Sequence, residues 1–402
     1  MGLSGPALAS LGVASLAFVV LLLAQTAAPH LAIYWLLGLG LGAVLQRGRF
    51  CFAGAFRDLY LTRNGTMMRA ILVAMALTTP IFALIEAKAV PNPSFGALPS
   101  GAHVLPFGLN LLVGGVLFGV GMVVAGGCVS GSLYRIGEGY LASWASLAGI
   151  LIGLSAAAHT WNAWWTWHLQ YAPRLWLPAL LGYDGAVALS LGLLAIGYLG
   201  VLKWESAGGL PAFYPSTDNR PVFEASFRGR LQAIRASVFG PGWPPLVAAT
   251  ALAGLSGAAY LVDHPIGVTG ELAAWADRAS GLVGLAAPPL LGAEFLAGCN
   301  LVLEKLGLVS DYTLLDGGLI VGSLFAALLA GEFKLRVPRQ PRRYVQSLGG
   351  GTLMGYGAGI AVGCTLGAFF SAIPSLGLNG WLFGLALLAG AGLGTQIIRR
   401  LA

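Results

Sequence analysis

Apolar residues fill the chain in blocks of about the length a bilayer demands, roughly 20 residues per helix. Polar residues collect between the blocks. The blocks fall at about 7–28, 31–45, 68–88, 107–126, 141–158, 180–202, 245–262, 281–298, 314–331, 348–363 and 381–398. They predict an all-α polytopic membrane protein with about 9–11 transmembrane spans. Composition agrees: of 402 residues, 57% are hydrophobic and 9% charged, against about a quarter charged in a soluble domain.

The net charge of +7 is not a nucleic-acid footprint. Seventeen of the 22 basic residues lie in 46–69, 203–235, 334–343 and 398–402. Short basic loops mark the cytoplasmic side, which predicts cytoplasmic N- and C-termini. No basic residue precedes the first apolar block, so 7–28 is read as a retained span rather than a signal peptide. With the basic stretches inside, 107–126 runs from outside to inside, and 348–363 from inside to outside. The three blocks between 235 and 334 do not close this topology. Segment 281–306, interrupted by Ala-Gly-Cys-Asn at 297–300, is expected to enter and leave on one side, shielded by protein or a water-filled cavity.

Residues 114–131 overlay residues 350–367 without a gap, with nine identities in eighteen positions. The copies point in opposite directions, which predicts an inverted-topology repeat with short re-entrant half-helices, a transporter plan with its site where the halves meet. Residues 1–202 form the first membrane half and 245–402 the second. Linker 203–244 carries Phe223, Phe227, Leu231, Ile234 and Val238 at helical spacing, with Arg228, Arg230 and Arg235 between them. It is expected to be a basic amphipathic helix on the inner membrane face, with docking of a cytosolic partner as the sharper alternative.

Three cysteines open one pattern: Cys51-Phe-Ala-Gly54, Cys128-Val-Ser-Gly131 and Cys364-Thr-Leu-Gly367. Gly127 and Gly363 stand directly before two of them. The pattern predicts a helix, a break, and a short half-helix after each cysteine, whose free amides favour an anion. A thiol is a weak donor and a soft group, suited to a sulfur acceptor. A thiolate would repel an anion, so neutral thiols are expected, although half-helix dipoles push towards ionisation. One buried cysteine is usually filler; three in one motif, two of them repeated, argue for function. Cys299 lacks the motif and is assigned to packing. No Cys-x-x-Cys occurs, so neither a disulfide framework nor a zinc site is expected, and no cofactor is implied.

Charged neighbours are less specific. Arg135 and Glu138, three apart, either pair along a helix or support the site. Arg49, Arg57 and Asp58 flank Cys51 and either pair, anchor at headgroups or form an electropositive inner mouth. Glu294 lies in an apolar block, where a carboxylate is a functional candidate such as a proton site. The five histidines map to outer loops or membrane edges, against a histidine catalytic centre. Trp161, Trp164, Trp165 and Trp167 read as an interfacial aromatic belt.

Four motifs occur in a telling order. They are Gly-Arg49-Phe-Cys51-Phe-x-x-Ala-Phe-Arg57-Asp58, Gly-Gly-Cys128-x-x-Gly-x-Leu-Tyr-Arg135-x-Gly-Glu138-Gly, Leu-Ala-Gly-Glu332-Phe-x-Leu-Arg336 and Gly-Cys364-x-x-Gly-Ala-Phe-Phe. Together they resemble the YeeE/YedE family of bacterial inner-membrane sulfur transporters, over about residues 31–398. The resemblance implies thiosulfate uptake, with Cys51, Cys128 and Cys364 handing the anion along by thiol-to-sulfur hydrogen bonds. It fits supply to a cytosolic sulfur-carrier or sulfurtransferase protein. Val362 departs from the pattern, which often has a second glycine there. The alternatives are a membrane thiol enzyme, disfavoured by the lack of paired cysteines, and a channel or transporter for another sulfur or selenium anion.

Overall fold

The computed structural model describes residues 5–99, 101–207, 242–293, 296 and 310–401. The 208–241 part of the expected linker helix, Glu294 and Cys299 lie outside the described residues. Among the described residues the chain is helical throughout, with isolated bridges and no strand. The α-helices are α1 Gly5–Ala27, α2 Pro29–Arg47, α3 Phe52–Leu61, α4 Thr66–Ala89, α5 Leu109–Ala125, α6 Val129–Gly137, α7 Leu141–Trp167 and α8 Leu177–Ser206. They continue with α9 Pro245–Val262, α10 Thr269–Leu282, α11 Asp311–Leu329, α12 Arg342–Ala361 and α13 Leu378–Leu401. A π-helical turn, Thr365–Ser371, follows α12. Nine helices among the described residues are long and apolar enough to cross a bilayer, and α12 with its π turn, bent by 48°, makes a tenth. This is a many-span α-helical membrane protein.

One expected span is corrected. Residues 281–298 do not form a helix that starts at 281. The helix is α10, which ends at Leu282, and the described residues from there to 293 carry no further α-helix. Glu271, Asp277 and Arg278 break the apolar pattern of α10 and hide it from a hydropathy reading. Gly284, at φ 77°, and the Pro288-Pro289 pair stop it, since neither a left-handed residue nor a proline extends a helix.

Glycine sets how closely the helices approach. A Cβ on Gly114 would collide with the Gly357 carbonyl, and one on Gly121 with the Gly350 carbonyl. These are reciprocal contacts between α5 and α12, the two helices that carry the repeated sequence. The partners cross over in the same way. Helix α5 also packs on α13, which follows its counterpart α12, and α12 packs on α7, which follows α5 and its short companion. Gly119 meets Leu387 and Gly390, while Gly153 meets Thr352 and Tyr356. Gly38 and Gly42 of α2 seat against Leu315 and Leu319 of α11. Small residues let backbones touch where lipid supplies no hydrophobic drive for helix association.

Candidate functional site

Each of the three cysteines is the residue immediately before a short helical segment. Cys51 precedes α3, Cys128 precedes α6, and Cys364 precedes the π turn. The backbone arrives in a similar way at the two repeated sites. Helix α5 ends on Gly126 at φ 80°, ψ 19°, and α12 ends on Val362 at φ 56°, ψ 44°. Both are left-handed, and Cys128 and Cys364 then turn extended. Arg343 of α12 secures the first of these breaks by donating to the Ala125 carbonyl at 2.8 Å and the Val124 carbonyl at 3.3 Å. A cation at a helix C-terminus also meets the negative end of its dipole.

Cys51 and Cys128, far apart in sequence, come together over Gly131. A Cβ there would stand 3.2 Å from the Cys128 sulfur and 3.5 Å from the Cys51 sulfur. A side chain there would press on the Cys128 sulfur, which would have to give way by a few tenths of an ångström. Cys128 Sγ accepts the Gly131 amide at 3.3 Å and lies 3.4 Å from Ser130 Oγ. Both cysteines are buried and free. The Arg135 guanidinium reaches to 4.0 Å from Cys51 Sγ, donates to the Gly126 carbonyl, and lies over the rings of Tyr134 and Tyr140.

Cys364 is fully buried on a separate segment. Its π turn meets α3 through Phe370 on Phe52 and Phe369 on Phe56, with ring centroids 5.9 and 5.6 Å apart. The aromatic seam therefore joins the Cys364 turn to the helix that Cys51 opens. Gly363 abuts Ala368, and the Gly367 carbonyl faces the ring of His103, 2.9 Å from Nδ1. His103 lies in the loop between α4 and α5, where the sequence puts it, but its environment is not that of a surface residue. It is buried there, and burial pulls its pKa down to about 4, leaving a neutral ring. Its carbonyl accepts from Asn379 at 3.0 Å. His264 is buried as well. No motif marks His103, because its partners lie more than two hundred residues away.

Two cavities adjoin Arg135, the residue beside Cys51. One, of about 280 Å³, is lined by Gly127, Ser132, Arg135, Tyr140, Arg336 and Arg343 among others. The second, of about 470 Å³, is lined by Arg49, Arg135, Glu138, Glu332, Lys334 and Arg336 among others. Arg135 lines both. Glu138 does not pair with Arg135; it accepts from Gln46 Nε2 at 3.3 Å, and burial pushes its carboxyl up. Gln46 also donates to Glu332 at 2.9 Å, and Glu332 draws Arg47 to 3.5 Å and Arg49 to 3.3 Å. Arg336 donates to the carbonyls of Glu138 and Glu332 and stacks on Tyr140 at 4.5 Å. Arg57 pairs with Asp58 at 2.8 Å rather than facing a thiol. A Cβ added at Gly54 would stand in van der Waals reach of the Cys51 Cβ, at 3.7 Å. The tryptophans divide: Trp167 is exposed, but Trp161 is buried and donates to the Leu291 carbonyl at 2.9 Å.

Buried thiols at helix breaks, an arginine 4.0 Å from one of them and two cavities lined by that arginine make up the candidate site of this many-span membrane protein. The chain belongs to the sulphur-transport family, the YeeE/YedE family that its motifs resemble; the family profile matches residues 47–393. It is 32% identical over 365 residues to a thiosulfate transporter, TsuA, of Spirochaeta thermophila, covering 88% of this chain and 95% of that protein. The thiosulfate transporter TsuA of Escherichia coli is 31% identical over 345 residues, covering 85% and 87%. A probable transporter of E. coli, YedE, is 31% identical over 185 residues, covering 44% of this chain and 42% of its own.

Proposed function

We propose that this protein carries thiosulfate inward across the bacterial inner membrane, handing the anion along the neutral thiols of Cys364, Cys128 and Cys51. The observation that carries the reading is the meeting of two thiols over Gly131, with the Arg135 guanidinium 4.0 Å from Cys51. Arginine supplies the charge an anion needs in a low-dielectric site. The thiols donate weakly to the soft terminal sulfur and distinguish it from an all-oxygen anion. Gly127, Gly131, Gly363 and Gly367 keep the breaks narrow.

Both termini and the basic stretch 334–343 are cytoplasmic in this reading, so the arginine-lined cavities are the inner mouth. Loops 90–108 and 263–268 are then outer. His103 and Ile266, from those loops, contact Gly367 and Ser371, which supports an order with Cys364 first on the inward path and the Cys128–Cys51 pair second. Residues 1–202 and 245–402 are the two halves of an inverted repeat. The reciprocal Gly114–Gly357 and Gly121–Gly350 contacts support that symmetry. Released thiosulfate passes to a cytosolic sulfur-carrier or sulfurtransferase protein.

The test is uptake of thiosulfate, labelled on its terminal sulfur, into proteoliposomes. Competition by unlabelled thiosulfate but not by sulfate, sulfite or selenite is expected. Cys128→Ala, which fits the same space and donates nothing, is expected to abolish uptake in a correctly inserted protein. Wild-type uptake by that variant would falsify the relay. A thiol enzyme gains one point from the adjacency of Cys51 and Cys128, which sequence spacing concealed. Such an enzyme needs a reactive thiolate, so rapid labelling of Cys128 at neutral pH would favour it, and slow labelling the relay.

A further inference from the structure

Three helix ends converge at the membrane face opposite the arginine-lined cavities. His30 lies in the first turn of α2, whose other end carries Arg47. Asp263 and His264 follow the last turn of α9, and Asp311 opens α11, whose other end leads to Glu332. Asp263, His264 and Asp311 each bring one ligating atom to within 4.8 Å of the others. His30 Nε2 stands 3.4 Å from Asp311 Oδ1.

Two features of this cluster lack an internal explanation. His264 Nε2 is buried without a hydrogen-bond partner, and Asp311 Oδ1 makes no hydrogen bond beyond its ion-pair approach to His30. The His264 ring is held firmly, stacked between Tyr34 at 5.0 Å and Tyr312 at 4.5 Å, with Nδ1 3.1 Å from the Pro265 carbonyl. An Nδ1–H donated to that carbonyl leaves the lone pair on Nε2, the arrangement that backs a metal-ligating histidine. Asp263 is the second oddity. It caps the C-terminus of α9, where a helix dipole disfavours a carboxylate. Asp311 at the N-terminus of α11 is explained by its dipole; Asp263 and the His264 lone pair are not. A cation between them answers both.

We propose that His264, Asp311 and Asp263, joined by His30, form a binding site for one divalent transition-metal ion of the zinc type. Mixed imidazole and carboxylate donors suit zinc and its neighbours, whereas calcium and magnesium prefer oxygen alone. Ligands about 2.0–2.2 Å from zinc in a tetrahedron require the atoms to draw closer together than they stand. Asp263 and His30 are exposed and have room to move; His264 is fixed by its stack. The bound ion would tie α2, α9 and α11 together at one membrane face.

The full chain, purified in detergent and stripped with a chelator, is to be titrated with zinc by calorimetry. One equivalent per chain is expected, with a rise in melting temperature that EDTA reverses and that magnesium does not reproduce. His264→Phe preserves the stack and removes the ligand. Asp263→Asn alters only an exposed carboxylate and leaves the fold untouched. Each is expected to weaken zinc binding at least about tenfold. A stripped wild-type protein that takes up no zinc overturns the proposal. So does equal affinity in the wild type and Asp263→Asn.

Discussion

Val362 shows how a single residue records two opposed demands. It holds a left-handed conformation that costs an L-residue about 1–2 kcal/mol, in the place where the repeated segment has Gly126. Its side chain is fully buried, which compensates through packing. Val362→Ala keeps the strain and loses the packing; Val362→Gly loses slightly more packing and relieves the strain. Thermal denaturation should therefore rank Gly above Ala by roughly 1 kcal/mol, against the usual order; the reverse order would mean no strain is stored there. His103 makes the second prediction at this scale. Its pKa of about 4 lies below the ordinary 6.5, so between those values the unfolded chain binds a proton the folded one refuses. Stability from this group is present above pH 6.5 and drains away as pH falls towards 4, by about 3 kcal/mol in total. His103→Gln should flatten the fall in melting temperature over that window, and an unchanged profile would remove His103 as its cause. The three thiols were legible in the sequence because a motif repeats around them. His103 was not, since its contacts are made entirely by tertiary folding, and for the same reason the sequence left open whether Arg135 pairs with Glu138.

At the level of helices, the sequence displays 60 glycines and no means of ranking them. Packing ranks them sharply. Gly349 faces open space, whereas its neighbour Gly350 lies against the backbone of Ala125 and Gly121. Gly349→Leu should leave folded yield unchanged. Gly350→Leu should cost about 3 kcal/mol or more by forcing α12 off α5, visible as loss of monodisperse protein in size-exclusion chromatography. Equal behaviour of the two variants would mean that the helix contact is loose. Hydropathy found the long helices because lipid enforces their composition over a fixed length. It missed α10, which is only 14 residues long and carries three charges; a short helix enclosed by protein need not be apolar all round.

For the molecule as a whole, the apolar blocks and the composition foretold a many-span helical protein, and the motifs foretold its family. What they did not carry was the exchange of partners between the two ends of the chain. Helix α5 rests on α12 and α13, and α12 rests on α7. The consequence falls on biosynthesis. Once α5 has entered the bilayer, its glycine-lined face has no partner until residues 342–401 are made, about 220 residues later. At roughly 5–20 residues per second, that interval is on the order of ten to forty seconds. For that time the growing protein holds an unfilled groove against lipid, with Cys128 at its end, so the nascent chain is open to mispairing and to thiol chemistry that the finished transporter excludes.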